Sequence, residues 1–129
     1  MKYLHEKHFT IEEAKSLVEQ IKPLVARMIE LKRILDLKGY DIYQHRYFTG
    51  SPNGEKNYPP EVEELVGLIE EIENMGVLVK GIEQGLIDFP HIRQNGQEVY
   101  LCWMYGESSI NYWHTISEGF MGRKPIDEI

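Results

Sequence analysis

The chain has 129 residues, 42% hydrophobic and 27% charged, a balance that fits one domain able to bury its own core without disulfides or a metal. Its formal net charge is −7, and its 14 lysines and arginines are scattered, which disfavours nonspecific nucleic-acid binding. A single cysteine excludes an intrachain disulfide, the N-terminus MKYLHEKHFT lacks the apolar segment of a signal peptide, and no apolar run approaches the ~20 residues of a membrane span; these features imply a soluble cytoplasmic protein.

The first predicted element is a helix opening at Thr10. Thr10 and Glu13 form a capping box, in which hydroxyl and carboxylate each take a free backbone N–H. Ala14, Leu17, Ile21, Leu24, Met28, Leu31 and Leu35 then recur at alternating spacings of 3 and 4, the seam of a helix lying along another helix. The pattern passes in phase through Pro23, which predicts a kink or a restart there, and Gly39 supplies a stop. Residues 49–60, TGSPNGEKNYPP, read as a loop. A second helix opens at Pro59-Pro60-Glu61, carries the seam Val62, Leu65, Ile69 and Ile72, and ends at Asn74-Met75-Gly76. Two matching seams joined by a loop predict an antiparallel helical hairpin over about residues 10–76. The longer first helix leaves apolar length for a further partner, either the following sheet or the same helix of a second subunit.

From residue 77 the apolar period changes from helical to two, giving a β-rich part over about 77–125 of the same single domain. Val77–Val79, Leu86–Ile92, Gln97–Met104 and Ser109–Ile116 read as strands, with turns at Asn95-Gly96 and Gly106-Glu107. Two- or four-residue turns at these places share one parity. They pair Trp103 with Ile110, Leu101 with Tyr112 and Val99 with His114. One face then carries Leu86, Asp88, Val99, Leu101, Trp103, Ile110, Tyr112 and His114 and is expected on the helices. The other carries Ile87, Phe89, Tyr100, Cys102, Met104, Asn111 and Trp113, an aromatic surface suited to a subunit contact or a pocket wall.

The chemistry-bearing residues concentrate between Gly85 and Pro125. Asp88 sits in the apolar strand Leu-Ile-Asp-Phe, so it needs a partner: His114, or Arg123 in a tie between tail and sheet. His114 is a candidate general acid–base group or metal ligand, against the plain alternative of a buried histidine bonded to Asp88 or to a carbonyl. Glu118, four residues on, shares its face only if 114–118 is helical, and would then complete a metal pair with His114. Cys102 falls on the face opposite His114 by this parity and reads as structural. Gly119-Phe120-Met121-Gly122-Arg123 combines two glycines with an arginine and suits an anion loop; the plain alternative is a tight turn with Arg123 paired to Asp88 or Glu107. No zinc-finger, metalloprotease, dinucleotide or P-loop spacing is present.

The set GLIDFP, EVYLCW, GE, YWH and GF-x-GR-x-P, with the opening FTIEEA and its heptad helix, resembles a family of small prokaryotic proteins catalogued as domain of unknown function 2203. The resemblance covers nearly the whole chain, although the stretch from Tyr40 to Tyr58 is longer here than the family leads one to expect. It implies no activity, substrate or cofactor. It does imply that Gly85, Asp88, Phe89, Pro90, Cys102, Trp103, Gly106, Glu107, Trp113, His114, Gly119, Phe120, Gly122 and Arg123 fall in the family's motif, for packing or for chemistry.

The expected fold is α+β, a long antiparallel helical hairpin followed by a three- to four-stranded antiparallel sheet. The expected function is a non-catalytic interaction or structural module, dimerising through the hairpin or the aromatic sheet face. The alternative is a small enzyme or ligand-binding protein. In it Asp88, His114 and Glu118 act as catalytic candidates and Tyr112, Arg123 and Glu107 as ligand-binding ones, with His114 and Glu118 available to a metal.

Overall fold

The computed structural model describes residues 2–44 and 58–129. The fold is α+β, with two α-helices and a five-stranded antiparallel sheet. Most of the expected loop at 49–60 lies outside the described residues.

Helix α1 spans Ile11–Leu37, and the Thr10–Glu13 capping box that opens it is formed in both directions, at 3.0 and 2.8 Å. The helix runs through Pro23 without a restart. Its fully buried stripe is Ala14, Val18, Ile21, Val25, Met28, Leu31 and Leu35. Val18 and Val25 thus take the central places expected of Leu17 and Leu24, which are only partly buried. A helix packed against both a second helix and a sheet buries a stripe wider than one seam, and both sets contribute to it. Gly39, at φ +73°, follows the helix end, and Tyr40 N–H closes it on the Leu35 carbonyl at 2.9 Å. A short 3₁₀ turn at Ile42–Gln44 follows.

Helix α2 spans Glu61–Glu73 and buries Val62, Leu65 and Ile72. Lys38 meets Glu61 at 2.7 Å and Arg27 holds Glu64 through two bonds of 2.7 and 2.8 Å, so α2 packs against α1. These pairs are exposed and screened by solvent, so they add little; the apolar seam between the helices is the stronger tie.

The strands are β1 (Leu78–Gly81), β2 (Leu86–Ile92), β3 (Glu98–Met104), β4 (Tyr112–Thr115) and β5 (Lys124–Pro125), and they lie side by side in chain order. The fifth strand was not expected. It pairs Pro125 with Tyr112 and Lys124 with Trp113 at the sheet edge, a position where proline's missing N–H costs no ladder bond.

Register is where the sequence expectation fails. Asp88 lies opposite Cys102, which centres the β2–β3 turn on Asn95. The loop is therefore Gln94-Asn95-Gly96, closed by Arg93 N–H on the Gln97 carbonyl at 2.8 Å, with Gly96 at φ +89°. Asn-Gly serves a two-residue turn, but glycine equally supplies the left-handed last residue of a three-residue turn. Cys102 likewise lies opposite Tyr112, which centres the β3–β4 connection on Glu107. Each odd-membered loop shifts the register by one residue and turns the strand over.

The helix-facing side of the sheet is accordingly Ile87, Phe89, Val99, Leu101, Trp103 and Trp113, which join the α1 and α2 stripes in one core. Leu86, Asp88, Tyr112 and His114, expected on that side, lie on the outer face with Tyr100, Cys102 and Met104. Gly85 permits the close approach of helix and sheet. It stands at φ +66°, and a Cβ there would fall 2.7 Å from Val25 Cγ1, 2.8 Å from Tyr105 Cβ and 2.9 Å from Ile29 Cδ1.

The N-terminal segment reaches the far end of β2 and β3. Phe9 N–H donates to the Pro90 carbonyl at 2.8 Å, and His91 Nδ1 lies 2.7 Å from the Phe9 carbonyl. The Glu98 carboxylate accepts the N–H groups of Leu4 and His5 at 2.8 and 3.0 Å and meets His8 Nε2 at 2.7 Å. His5 Nε2 lies 2.6 Å from the Tyr100 hydroxyl.

Candidate functional site

The outer face of β2, β3 and β4 carries Asp88, Cys102 and His114 on adjacent strands, and all three are buried, at 2%, 0% and 3% exposure. Strand pairing alone brings them together. Asp88 is opposite Cys102, and His114 is opposite Tyr100, one alternation along β3. One ligating atom from each lies within 4.8 Å of the others.

His114 is held at both ring nitrogens. Nδ1 lies 2.8 Å from the Thr115 carbonyl oxygen, and Nε2 lies 3.1 Å from Asp88 Oδ1. A carbonyl can only accept, so Nδ1 carries a proton, and a second proton at Nε2 meets the carboxylate. Burial works against the imidazolium, but the hydrogen bonds to Asp88 and to the Thr115 carbonyl, with the Asp88 charge, outweigh it and raise the His114 pKa above its usual value. The other Asp88 oxygen, Oδ2, faces Lys80 Nζ at 3.7 Å, and that ammonium sits 4.6 Å over the Tyr100 ring. Burial, first, and the Asp88 carboxylate, second, push the Cys102 thiol well above its usual range.

These features limit what the three side chains can do by themselves. A histidine bonded on both sides cannot take a proton from a substrate without breaking a native bond. A thiol kept protonated by burial and by a neighbouring carboxylate is a poor nucleophile. The cluster does have the donor types, N, O and S, that divalent transition metals accept.

Of the remaining sequence candidates, Arg123 and Glu107 gather at Tyr112 on this side of the sheet, whereas Glu118 meets Lys124 and Thr115, whose register partners Trp113 and Val99 face the helices. Glu118 is not on a helix with His114. Its carboxylate takes Lys124 Nζ at 2.7 Å and the Thr115 hydroxyl at 2.8 Å, and these bonds lower its pKa to about 2. Arg123 donates through Nη2 to Glu107, not to Asp88, and its guanidinium stacks 3.8 Å from the Tyr112 ring centre and 4.7 Å from that of Phe120. Glu107 in turn accepts the Met104 N–H at 2.8 Å, so the turn, the β3 end and the C-terminal segment are joined through one carboxylate. Arg123 Nε is buried without a hydrogen-bond partner among the described residues. Met104, Glu107, Tyr112, Phe120, Met121 and Arg123 line an open hollow at this corner, and Met121 in that lining is 95% exposed.

The structure therefore brings Asp88 to His114, Arg123 to Glu107 and Tyr112, and Glu118 to Lys124, as three neighbouring groups. Two participants were missed from sequence. Cys102 was set on the wrong face by the turn lengths. A purely apolar helix-facing set of Ile87, Phe89, Val99, Leu101 and Trp103 would have placed it correctly. Lys80 gave no signal of its own, since nothing in Val-Lys-Gly marks the lysine as reaching across to β2.

No helix among the described residues is long and apolar enough to cross a membrane. No curated protein and no solved structure matches the chain. A family model described as an uncharacterized conserved protein matches residues 7–126. With the GLIDFP, YLCW and YWH segments all inside that span and on adjacent strands of one sheet, the chain belongs to the DUF2203 family.

Proposed function

We propose that this chain is a non-catalytic interaction module that docks through the aromatic corner around Arg123, and that the occupant of that corner is a second copy of the chain. The observation that carries the reading is a hollow with an exposed apolar side chain in its own lining: Tyr112, Phe120, Met121 and Arg123 line the hollow, and Met121 is almost wholly exposed. A twofold axis through such a patch lets each Met121 enter the hollow of the other copy, the self-complementarity an isologous dimer requires. Tyrosine, phenylalanine, methionine and a stacked arginine are also the residues enriched at interface centres. Arg123 is already held by Glu107 and stacked on Tyr112, so docking against it costs little side-chain ordering. The internal pairing of Asp88 with His114 and of Glu118 with Lys124 supports an interaction role over a catalytic one.

Sedimentation velocity across a concentration series tests this. Wild-type protein is expected to sediment as a dimer and Met121→Asp as a folded monomer. The change removes a hot-spot side chain of about 2 kcal/mol from each copy, so the twofold interface loses about 4 kcal/mol and association weakens on the order of a thousandfold. A wild-type chain that stays monomeric at about 100 μM, or a dimer that Met121→Asp leaves intact, removes the proposal.

A further inference from the structure

We infer that Asp88, Cys102 and His114 form a three-ligand site for a divalent transition metal of the zinc type, built across β2, β3 and β4.

The first support is distance. Zinc bond lengths of about 2.0 Å to nitrogen and oxygen and 2.3 Å to sulfur place tetrahedral ligand atoms about 3.3–3.6 Å apart. Asp88 Oδ1 and His114 Nε2 are already 3.1 Å apart, and the whole set lies within 4.8 Å, so the ligands assemble with side-chain shifts of about an ångström and no movement of the strands.

The second support is the outer shell. A metal-binding histidine needs its other ring nitrogen held by an acceptor, which fixes the ring and aims the free lone pair. His114 Nδ1 donates to the Thr115 carbonyl at 2.8 Å, so Nε2 is the nitrogen turned toward Asp88 and Cys102. Asp88 offers Oδ1 to the cluster while Lys80 attends Oδ2 at 3.7 Å, leaving one carboxylate oxygen for the ion.

Uptake of M²⁺ displaces the Cys102 thiol proton and the proton shared by Nε2 and Asp88, and both leave to solvent. An ion of charge +2 replaces two protons, so the buried pocket carries the same total charge before and after. Three protein ligands leave one position of a tetrahedral ion to water or a small anion. The site is distinct from the docking corner, where Arg123 and Glu107 neutralise each other.

Because the three ligands are buried, the ion is loaded by refolding the purified chain in the presence of Co²⁺, chosen because a thiolate–cobalt bond gives an intense ultraviolet charge-transfer band. The expected result is one equivalent of cobalt per chain with that band and tetrahedral visible absorption. Cys102→Ala should lose the band and bind at least tenfold more weakly, while remaining folded by circular dichroism. The double variant His5→Ala/His8→Ala, which removes the histidines around Glu98, should keep the full spectrum. Absence of the thiolate band from refolded wild type at saturating cobalt overturns the site, whatever the variants do. So does stoichiometric cobalt held equally by wild type and Cys102→Ala, or cobalt lost only in the histidine double variant, since either result puts the ion elsewhere.

Discussion

Gly85→Ala should be among the most damaging single-methyl additions in the molecule. The substitution acts twice. At φ +66° an L side chain costs about 1–2 kcal/mol against glycine. The new Cβ also falls 2.7–2.9 Å from Val25, Tyr105 and Ile29. Ile29 Cδ1 is the end of a flexible side chain and can turn away. Tyr105 Cβ cannot, because the Tyr105 N–H is bonded to the Gly85 carbonyl at 3.0 Å. Overpacking of this kind costs about 1–3 kcal/mol, for a total of about 2–5 kcal/mol. For 129 residues the unfolding entropy is about 0.27 kcal/mol/K, so the melting temperature should fall by about 7–18 °C. Gly96→Ala is the matched control. Gly96 has φ +89° but nothing within 4 Å of its Cβ position, so only the backbone cost of about 1–2 kcal/mol applies, a fall of about 4–7 °C. Urea titration of both variants reads the difference. Adding Val25→Ala to Gly85→Ala should cost less than the sum of the two single changes, since it removes the nearest clashing atom. A Gly85→Ala protein no less stable than Gly96→Ala would refute the argument that helix-to-sheet approach demands this glycine.

Thr10→Ala should lose about 0.5–2 kcal/mol by breaking the capping box, and Thr10→Ser should recover most of it, both read from the urea midpoint. Glu118 gives a pH signature whose sign follows from its lowered pKa. The ionised carboxylate is held by Lys124 and Thr115, so its stabilisation is present above the ordinary value of 4.5 and is lost as pH falls through about 2. The melting temperature of wild type should therefore exceed that of Glu118→Gln near neutral pH, and the gap should close across that acid window. A gap that persists below pH 2 would mean the carboxylate's charge is not what stabilises.

The helices were legible because their signals are local and redundant. Thr10 with Glu13, the repeated apolar spacing and Gly39 mark one helix, and each signal is sufficient without the others. The sheet was legible in strand position but not in register, because register depends on a single residue in each turn. Asn95-Gly96 is compatible with loops of either parity, and the choice is made by the demand that Phe89, Leu101 and Trp103 together cover the helices. Two parity errors cancelled for Asp88 and His114, two strands apart, so their shared face was read correctly. Only one error separated Cys102 from either of them, and it was assigned to the wrong side. The Arg123–Glu107 pair was one of two partners the tail residue was expected to choose. Tertiary placement of Phe120 and Tyr112 beneath the guanidinium decides that choice, and no local pattern encodes it.

The chain-order arrangement of β1 to β5 also sets how the molecule assembles. Every strand bonds to its immediate predecessor, so each step of the sheet closes only a short loop and loses little chain entropy. The contacts of Leu4, His5 and His8 with Glu98 and Tyr100 span 90–95 residues instead. They require β2 and β3 to exist first, since Glu98 and Tyr100 are displayed only by the finished hairpin. The segment before α1 is thus a latch that closes on a finished hairpin, whereas each step of the meander needs only its neighbour in the chain.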